Sequence, residues 1–512
     1  MRLVFANEEP HLEPNPGRDR MSGVPNLPAM SLDRHHGRVL RPGQVVRAPG
    51  TSMPVGTIYR YDRLLIDESI LDDDGARRRL ESAVRPIGLR LECQAASNAG
   101  SRHGAKRVPV SLTGHGDPAA VDAWGLLQSL YTAADEGQLS TELTEKVHLE
   151  HLLVSCATPG ISEAEPPGSG KLKPLGRIPV DMVNPMPPRK PMDRRIRVAI
   201  LDTGVPQEHP GFDVADLTSG EDAFVLVDRA FQETFGKDSD SPALPLNEPW
   251  EGPVHENTLL GEVATHFGHG TFMTGLIRQV APDSQVYSLR VVHNDGLAYE
   301  HEVVGALHHV ADQVEAARDG DDDAISVDIV VLAFGYVDEN PEDQPGGWMG
   351  QAIERLTSLG VAVVAAAGNQ SSDRPFYPAA YAAHPRPEGT APVLSVGALN
   401  PNRNVAMFSN DGPWVACFAT GAGLVSTFPC EAKGSLMPDR RSRASFADRY
   451  RESHDPDDFS SGYAVWGGTS FAAPLAAAFW VNAMAEVGSS EAEDSVQAAA
   501  RALGALERLK NR

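Results

Sequence analysis

The sequence predicts an α/β fold: a doubly wound, mostly parallel sheet with helices on both faces, preceded by a small α+β domain. Three observations carry this. Beyond residue 195, the runs "RVAIL", "QVYSLRVV", "DIVVLAF", "VAVVAAA" and "APVLSVGAL" are apolar throughout rather than alternating, as strands covered on both faces must be. Between them, "YEHEVVGALHHVADQVEAA" repeats Val303, Leu307, Val310 and Val314 on one face, and "WMGQAIERLTSLG" repeats Met349, Ile353 and Leu356, the spacing of crossover helices that bury one stripe. Upstream, residues 57–156 read β-α-β-β-α-β, the split βαβ order of ferredoxin-like domains.

The elements follow in order. Residues 1–56 are rich in Pro, Arg, Gly and His without a sustained period, which predicts an irregular N-terminal extension. In 57–156, "GTIYRYDRLLI" is a strand, "DDDGARRRLESAV" a helix, and "LRLECQAA" and "RVPVSLTG" two strands. "DPAAVDAWGLLQSLYTAAD" is a helix with Val121, Trp124, Leu127 and Leu130 on its apolar side, and "KVHLEHLLVSC" is the last strand. Residues 157–194 carry enough Pro and Gly to be a linker. Residues 195–512 form the large α/β domain and its C-terminal helices.

Composition narrows the function. The chain has 512 residues, enough for two or three domains and a sizeable core. Lys and Arg number 45 against 69 Asp and Glu, net −24, with the cations scattered, so no nucleic-acid partner is expected. Four cysteines, Cys93, Cys156, Cys417 and Cys430, are too few and too scattered for a disulfide framework or a CxxC metal site. Free thiols are expected, with a bridge between Cys417 and Cys430 left open. The start "MRLVFANEEPHLEPNPG" is far short of a signal-peptide core. No run approaches the ~18 apolar residues of a membrane helix. The expectation is a cytoplasmic protein with no membrane partner.

A doubly wound sheet places chemistry at the carboxyl ends of its strands. "RVAIL" runs into Asp202-Thr203-Gly204. An aspartate there is commonly a turn residue, and the aspartic-protease reading of D-T-G requires a second such motif, which does not follow. His269, between two glycines in "THFGHGTFMTGLI", opens a helical run. It is either a helix-start residue or a ring that must meet both a side chain and a substrate. A metal site on His266 and His269 lacks a third ligand. Asn369 ends the strand "VAVVAAAGN" as a turn former or as a donor aimed at an anion. Ser470 in "GGTSFAAPLAAAF" is an N-cap or a nucleophile beside free first-turn N–H groups, with Pro474 placed in the opening turn.

Taken together, "VAILDTG", "GHGTFMTG", "AAAGN" and "GGTSFAAP" resemble the four blocks of the subtilisin-like serine proteases, in that family's order of Asp, His, Asn and Ser. Secondary blocks agree: "LRVV", "DIVVLAFG", "YPAAY…VLSVGA" and "MFSNDGPWVACFATGAGLVST". The resemblance covers roughly 195–486. It implies a subtilisin-like catalytic domain that hydrolyses peptide bonds in protein or peptide substrates through an acyl-enzyme. Ser470 would be the nucleophile, His269 the base, Asp202 its orienting carboxylate, and Asn369 with the Ser470 N–H the oxyanion donors. A peptide ligase or macrocyclase using the same acyl-enzyme and a catalytically silent peptide-binding module are the alternatives. No cofactor is implied. Calcium sites are common in the family, but "KDSDS" and "DPDD" are weak ligand runs.

The resemblance also implies substrate contacts at Ala333, Phe334, Gly335 and Tyr336, at Ala366, Ala367 and Gly368, and at Phe376. Tyr336 and Phe376 are expected to shorten the primary pocket and favour small or medium apolar side chains. Two insertions, before His269 and before Ser470 ("CEAKGSLMPDRRSRASFADRYRESHDPDDFSSG"), stand as lids, exosites or surface loops. Residues 57–156 are similar to the family's prodomain and are expected to act as an intramolecular chaperone or gate, or to recruit a substrate or partner. With a linker of nearly forty residues behind the segment, nothing in the sequence requires its own end to lie in the cleft.

Overall fold

Strand Arg197–Asp202 lies at the centre of a nine-stranded sheet whose order is 4–5, 417–420, 393–399, 362–366, 329–332, 197–202, 285–290, 225–227, 214–216. The computed structural model describes residues 3–12, 19–85, 88–93, 107–114, 121–157, 176–192, 194–235, 246–252, 255–257, 259–340, 347–445, 448–488 and 493–512. Every pairing in this sheet is parallel except that of Val4–Phe5 with Cys417–Thr420. From 197–202 the chain goes out to 214–216 at one edge, steps back through 225–227 to 285–290, and then passes 197–202 to 329–332 and 362–366 on its other side. His269–Val280 packs with Thr469–Val487, and Glu300–Arg318 packs with Gly347–Ser358. The reversal falls beside 197–202, so its carboxyl end opens at the crevice.

In residues 57–156, strands run Ile58–Asp67, Leu89–Cys93, Arg107–Gly114 and Val147–Ser155, and the main helices are Asp74–Val84 and Ala123–Asp135. The first helix starts where the Asp73 carboxylate accepts from Gly75 N and Ala76 N. The sheet order is 147–155, 58–67, 107–114, 89–93, all antiparallel. Leu64, Ile66, Leu80, Val84, Val110, Trp124, Leu127 and Leu149 form a core of their own beneath it. Strand Val147–Ser155 has a second allegiance: its far end pairs with Leu297–Tyr299 and Phe334–Gly335 of the large domain.

Two expectations are corrected and one is filled in. The irregular extension 1–56 is tied to the rest of the chain: Val4–Phe5 adds an edge strand, Gly37–Val39 pairs with Ile58–Asp67, and buried His35 meets Asp295 and Tyr299. The stretch 157–194 is only partly a linker; 158–175 lie outside the described residues, but Ile178–Pro179 pairs with Tyr463–Trp466. Thr469–Val487 is, by length and composition, apolar enough to cross a membrane, yet 72% of it is buried inside the protein, between the sheet and helices 269–280 and 495–510. Its small Ala side chains let the sheet and both helices approach closely. Cys156, Cys417 and Cys430 are free thiols.

Candidate active site

Asp202 ends its strand fully buried, and its Oδ1 accepts from Thr203 N at 2.8 Å and from His269 Nδ1 at 2.6 Å. With Nδ1–H committed to the carboxylate, the neutral ring presents a bare Nε2. His269 is the first residue of its helix, behind Gly268 at φ 83°, and caps nothing. Its ring is enclosed by Phe471 at 5.1 Å, Trp466 at 5.6 Å and His266 at 5.8 Å between centroids. Burial, then the neighbouring His269 and Arg177, hold the His266 pKa down to about 3, so that ring adds no charge.

Ser470 is not an N-cap. The cap is Gly468, the helix begins at Thr469, and Ser470 stands one residue inside it. Its N–H is thus one of the unsatisfied first-turn donors. Pro474 sits deeper than the opening turn, where its missing N–H leaves the Ser470 carbonyl without its helical partner. The Ser470 hydroxyl lies 3.5 Å from the Ala333 carbonyl. His269 Nε2 has no hydrogen-bond partner among the described residues.

Asn369 follows Gly368, whose φ of 101° and close neighbours Gln370 and Asn410 leave no room for a side chain. Asn369 Oδ1 accepts from Thr469 N at 3.0 Å and from Thr469 Oγ1 at 2.9 Å. Its Nδ2 donates to the carbonyl of Cys156, and Ser470 N donates to the same oxygen at 3.2 Å. The end of the small domain therefore does lie in the cleft. Cys156 N donates to Ala333 O at 2.8 Å, Ser155 is in register with Phe334 and Val154 with Gly335, and Ala157 bridges Gly468. On the other side, Leu152, Leu153 and Val154 pair with Tyr299, Ala298 and Leu297. Strand pairing overrides the long connection, because Leu297–Tyr299 and Phe334–Gly335 each offer a strand edge and Val147–Ser155 pairs with both.

The expected pocket residues separate. Ala333, Phe334 and Gly335 form one wall along residues 154–156; Ala366, Ala367 and Gly368 end the strand beside it, with Gly368 N donating to Thr469 Oγ1 at 3.1 Å. The Phe376 ring lies between them, close to both Gly335 and Gly368. Tyr336 is elsewhere: its ring stacks on His151 at 4.4 Å, five residues upstream of Cys156, so it does not shorten the primary pocket. A single extra position along an edge strand turns the side chain to the other face.

Two supporting residues escaped the sequence reading. Buried Arg177, in the presumed linker, donates to the carbonyls of Thr265 (2.7 Å), Phe267 (3.0 Å) and Ala264 (2.6 Å), clamping the loop that delivers His269. Glu251, in the insertion before His269, accepts from Gly268 N at 2.8 Å and Thr271 Oγ1 at 3.2 Å; burial pushes its pKa up to about 8. A cation in a Pro/Gly-rich stretch and an acid beside Trp250 were the available signals. The insertion before Ser470 carries an exposed hairpin, Arg441–Arg443 with Tyr450–Glu452. "KDSDS" lies outside the described residues.

A family model described as the subtilase family matches residues 193–503. Subtilisin BL of Lederbergia lenta is 30% identical over 178 residues, 33% of this chain and 56% of its own. Thermitase of Thermoactinomyces vulgaris is 28% identical over 240 residues, 47% of this chain and 68% of its own. The chain thus spans little more than half the length of the first of these relatives. A solved structure described as a cold adapted subtilisin-like serine proteinase is 19% identical, with a TM-score of 0.35 over 61% of this chain and 85% of that one.

Proposed function

The chain belongs to the subtilase family, and from that premise we propose that it is a serine endopeptidase acting on protein or peptide substrates. The observation that carries the reading is the Cys156 carbonyl, which accepts from both Asn369 Nδ2 and Ser470 N, the two donors an oxyanion requires. In the reaction the Ser470 hydroxyl turns from Ala333 toward His269 Nε2, gives up its proton there and attacks the carbonyl. Asp202 keeps the ring in the required tautomer and stabilises the imidazolium. Asn369 and the helix N-terminus receive the negative charge as it develops. The leaving amine takes the proton back from His269, and water then resolves the acyl-enzyme.

Residues 57–156 are read as a ferredoxin-like folding aid and gate. Their antiparallel strand order, fourth-first-third-second, supports the fold, and a segment that fills the cleft up to the Cys156 carbonyl supports the gate. The test is a fluorophosphonate probe together with Ser470→Ala. Labelling of Ser470, and cleavage of a denatured protein that vanishes in the variant, are expected. An unlabelled Ser470 in a chain that still cleaves would overturn the assignment.

A further inference from the structure

Strand Val147–Ser155 carries His148, Glu150 and His151 in an otherwise apolar run. His151 is buried with a carboxylate on each ring nitrogen: Nδ1 is 2.7 Å from Glu300 Oε2, and Nε2 is 2.6 Å from Glu339 Oε2. A neutral imidazole has one N–H; only the imidazolium satisfies two carboxylates. Its ring face rests on Tyr336, 4.4 Å between centroids and 24° between planes. Glu300, Glu339 and Tyr336 all belong to the large domain. Glu300 stands in the first turn of helix Glu300–Arg318, where negative charge is favoured. Two carboxylates converging beside an aromatic face suit a planar or compact cation.

A second observation fixes what kind of molecule brings that cation. The occupant is one point on a strand held in register by Tyr299, Ala298, Leu297, Gly335 and Phe334, and that strand delivers the Cys156 carbonyl to Asn369 and Ser470. A peptide bound along the same two edges presents its sixth residue before the scissile bond to Glu300 and Glu339. We propose that Glu300, Glu339 and Tyr336 form a substrate subsite for a cationic side chain, Arg, Lys or His, six residues before the bond cleaved, which His151 occupies in the chain's own segment. This rests on the reading of Ser470 as the nucleophile.

The test offers the full chain, in one tube, three peptides Xaa-Leu-Leu-Val-Ser-Cys-Ala-Thr with Xaa as Arg, Gln or Glu. Competition yields ratios of kcat/KM that do not depend on how much of the enzyme is open. The Arg peptide is expected to be cut at least tenfold faster than the Gln peptide, and the Glu peptide slowest of all. Glu339→Gln should shrink the Arg preference severalfold; should that variant not fold, the comparison on the unaltered chain decides alone. Equal cleavage of the three peptides overturns the subsite and leaves the peptidase standing. Failure to cut any of them in a chain that still cleaves denatured protein through Ser470 overturns the subsite alone; failure to cut the peptides and denatured protein, with Ser470 unlabelled by the probe, overturns the peptidase reading and the subsite with it.

Discussion

Thr469 determines which end of the Asn369 side-chain amide faces the Cys156 carbonyl. Its N–H and hydroxyl both donate to Asn369 Oδ1, at 3.0 and 2.9 Å, and its hydroxyl accepts from Gly368 N at 3.1 Å. With Oδ1 held by Thr469, the amide is oriented with its Nδ2 donor toward the Cys156 carbonyl. Thr469→Val keeps the shape and removes both hydroxyl bonds, the one to Asn369 Oδ1 and the one from Gly368 N; loosening of the Asn369 amide by about 1–1.5 kcal/mol corresponds to about tenfold in kcat. Asn369→Ala should cost more, about 10²–10³-fold, the loss measured for such a donor in a relative. Steady-state kinetics that showed either variant raising KM alone would count against an oxyanion role.

Arg177 reaches the loop before His269 through the carbonyls of Ala264, Thr265 and Phe267, of which Ala264 O also accepts from Phe267 N. Arg177→Met keeps most of the volume and removes every donor. A buried carbonyl left unpaired costs about 1–3 kcal/mol, and Thr265 O and Phe267 O lose the guanidinium donor. Lower thermal stability together with slower Ser470 labelling is expected; a variant matching the parent in both would show the clamp to be idle.

Glu251 links stability to pH. Its folded pKa, about 8, lies above the ordinary 4.5, so the folded state holds a proton that the unfolded state has lost between these values. Stability from this group is full below about 4.5 and is lost as pH rises through about 8. Glu251→Gln, which mimics the neutral acid and keeps an acceptor for Gly268 N, should flatten that decline. Urea midpoints from pH 5 to 9 for both proteins check this; parallel curves would contradict it.

His151 should loosen the segment in the opposite chemical sense but the same pH direction. Burial opposes its charge, yet Glu339 and Glu300 overcome this and hold its pKa well above 6.5; Asp338, Tyr336 and His148 are the other ionisable groups at hand. A raised pKa means that its contribution is complete below about 6.5 and fades as pH rises through the folded value. Hydrogen exchange at residues 152–155, corrected for the intrinsic pH effect, should accelerate at alkaline pH. In His151→Leu that acceleration should disappear.

Much of the site was legible because its residues stand where strand ends and helix starts are visible in sequence. Asp202 and Asn369 close apolar runs, His269 opens a helix between two glycines, and Ser470 stands one residue inside a helix that follows Gly467-Gly468. What escaped depends on partners far along the chain. Val4–Phe5 is too short to show a period and exists as a strand only because Cys417–Thr420 offers an edge. Arg177 looks like one cation in a Pro/Gly-rich stretch until the loop carbonyls it holds are in place. The register of 147–155 was hidden by the connection that follows it, although two histidines and a glutamate in a buried strand already signalled counter-charges across an interface.

We propose that Phe376 sets the depth of the primary pocket. Its ring lies between Gly335 and Gly368, the glycines on the two walls beside Cys156. The residue whose carbonyl meets Asn369 and Ser470 is Cys156, fully buried, with a thiol that burial pushes well above its ordinary pKa, so its side chain is small and uncharged. Both facts favour small or medium apolar residues at the bond cleaved. Phe376→Ala should open the base of the pocket, at a cost of about 3–5 kcal/mol in stability for the cavity. It should also raise kcat/KM for Phe over Ala at the cleaved position by about tenfold, since each buried methylene contributes about 0.8 kcal/mol and part of the gain goes to filling the new space. Peptide pairs differing only at that residue measure the ratio directly. A preference unchanged from the parent would mean that the ring faces away from the pocket and that the walls alone, Ala333 to Gly335 and Ala366 to Gly368, set its depth.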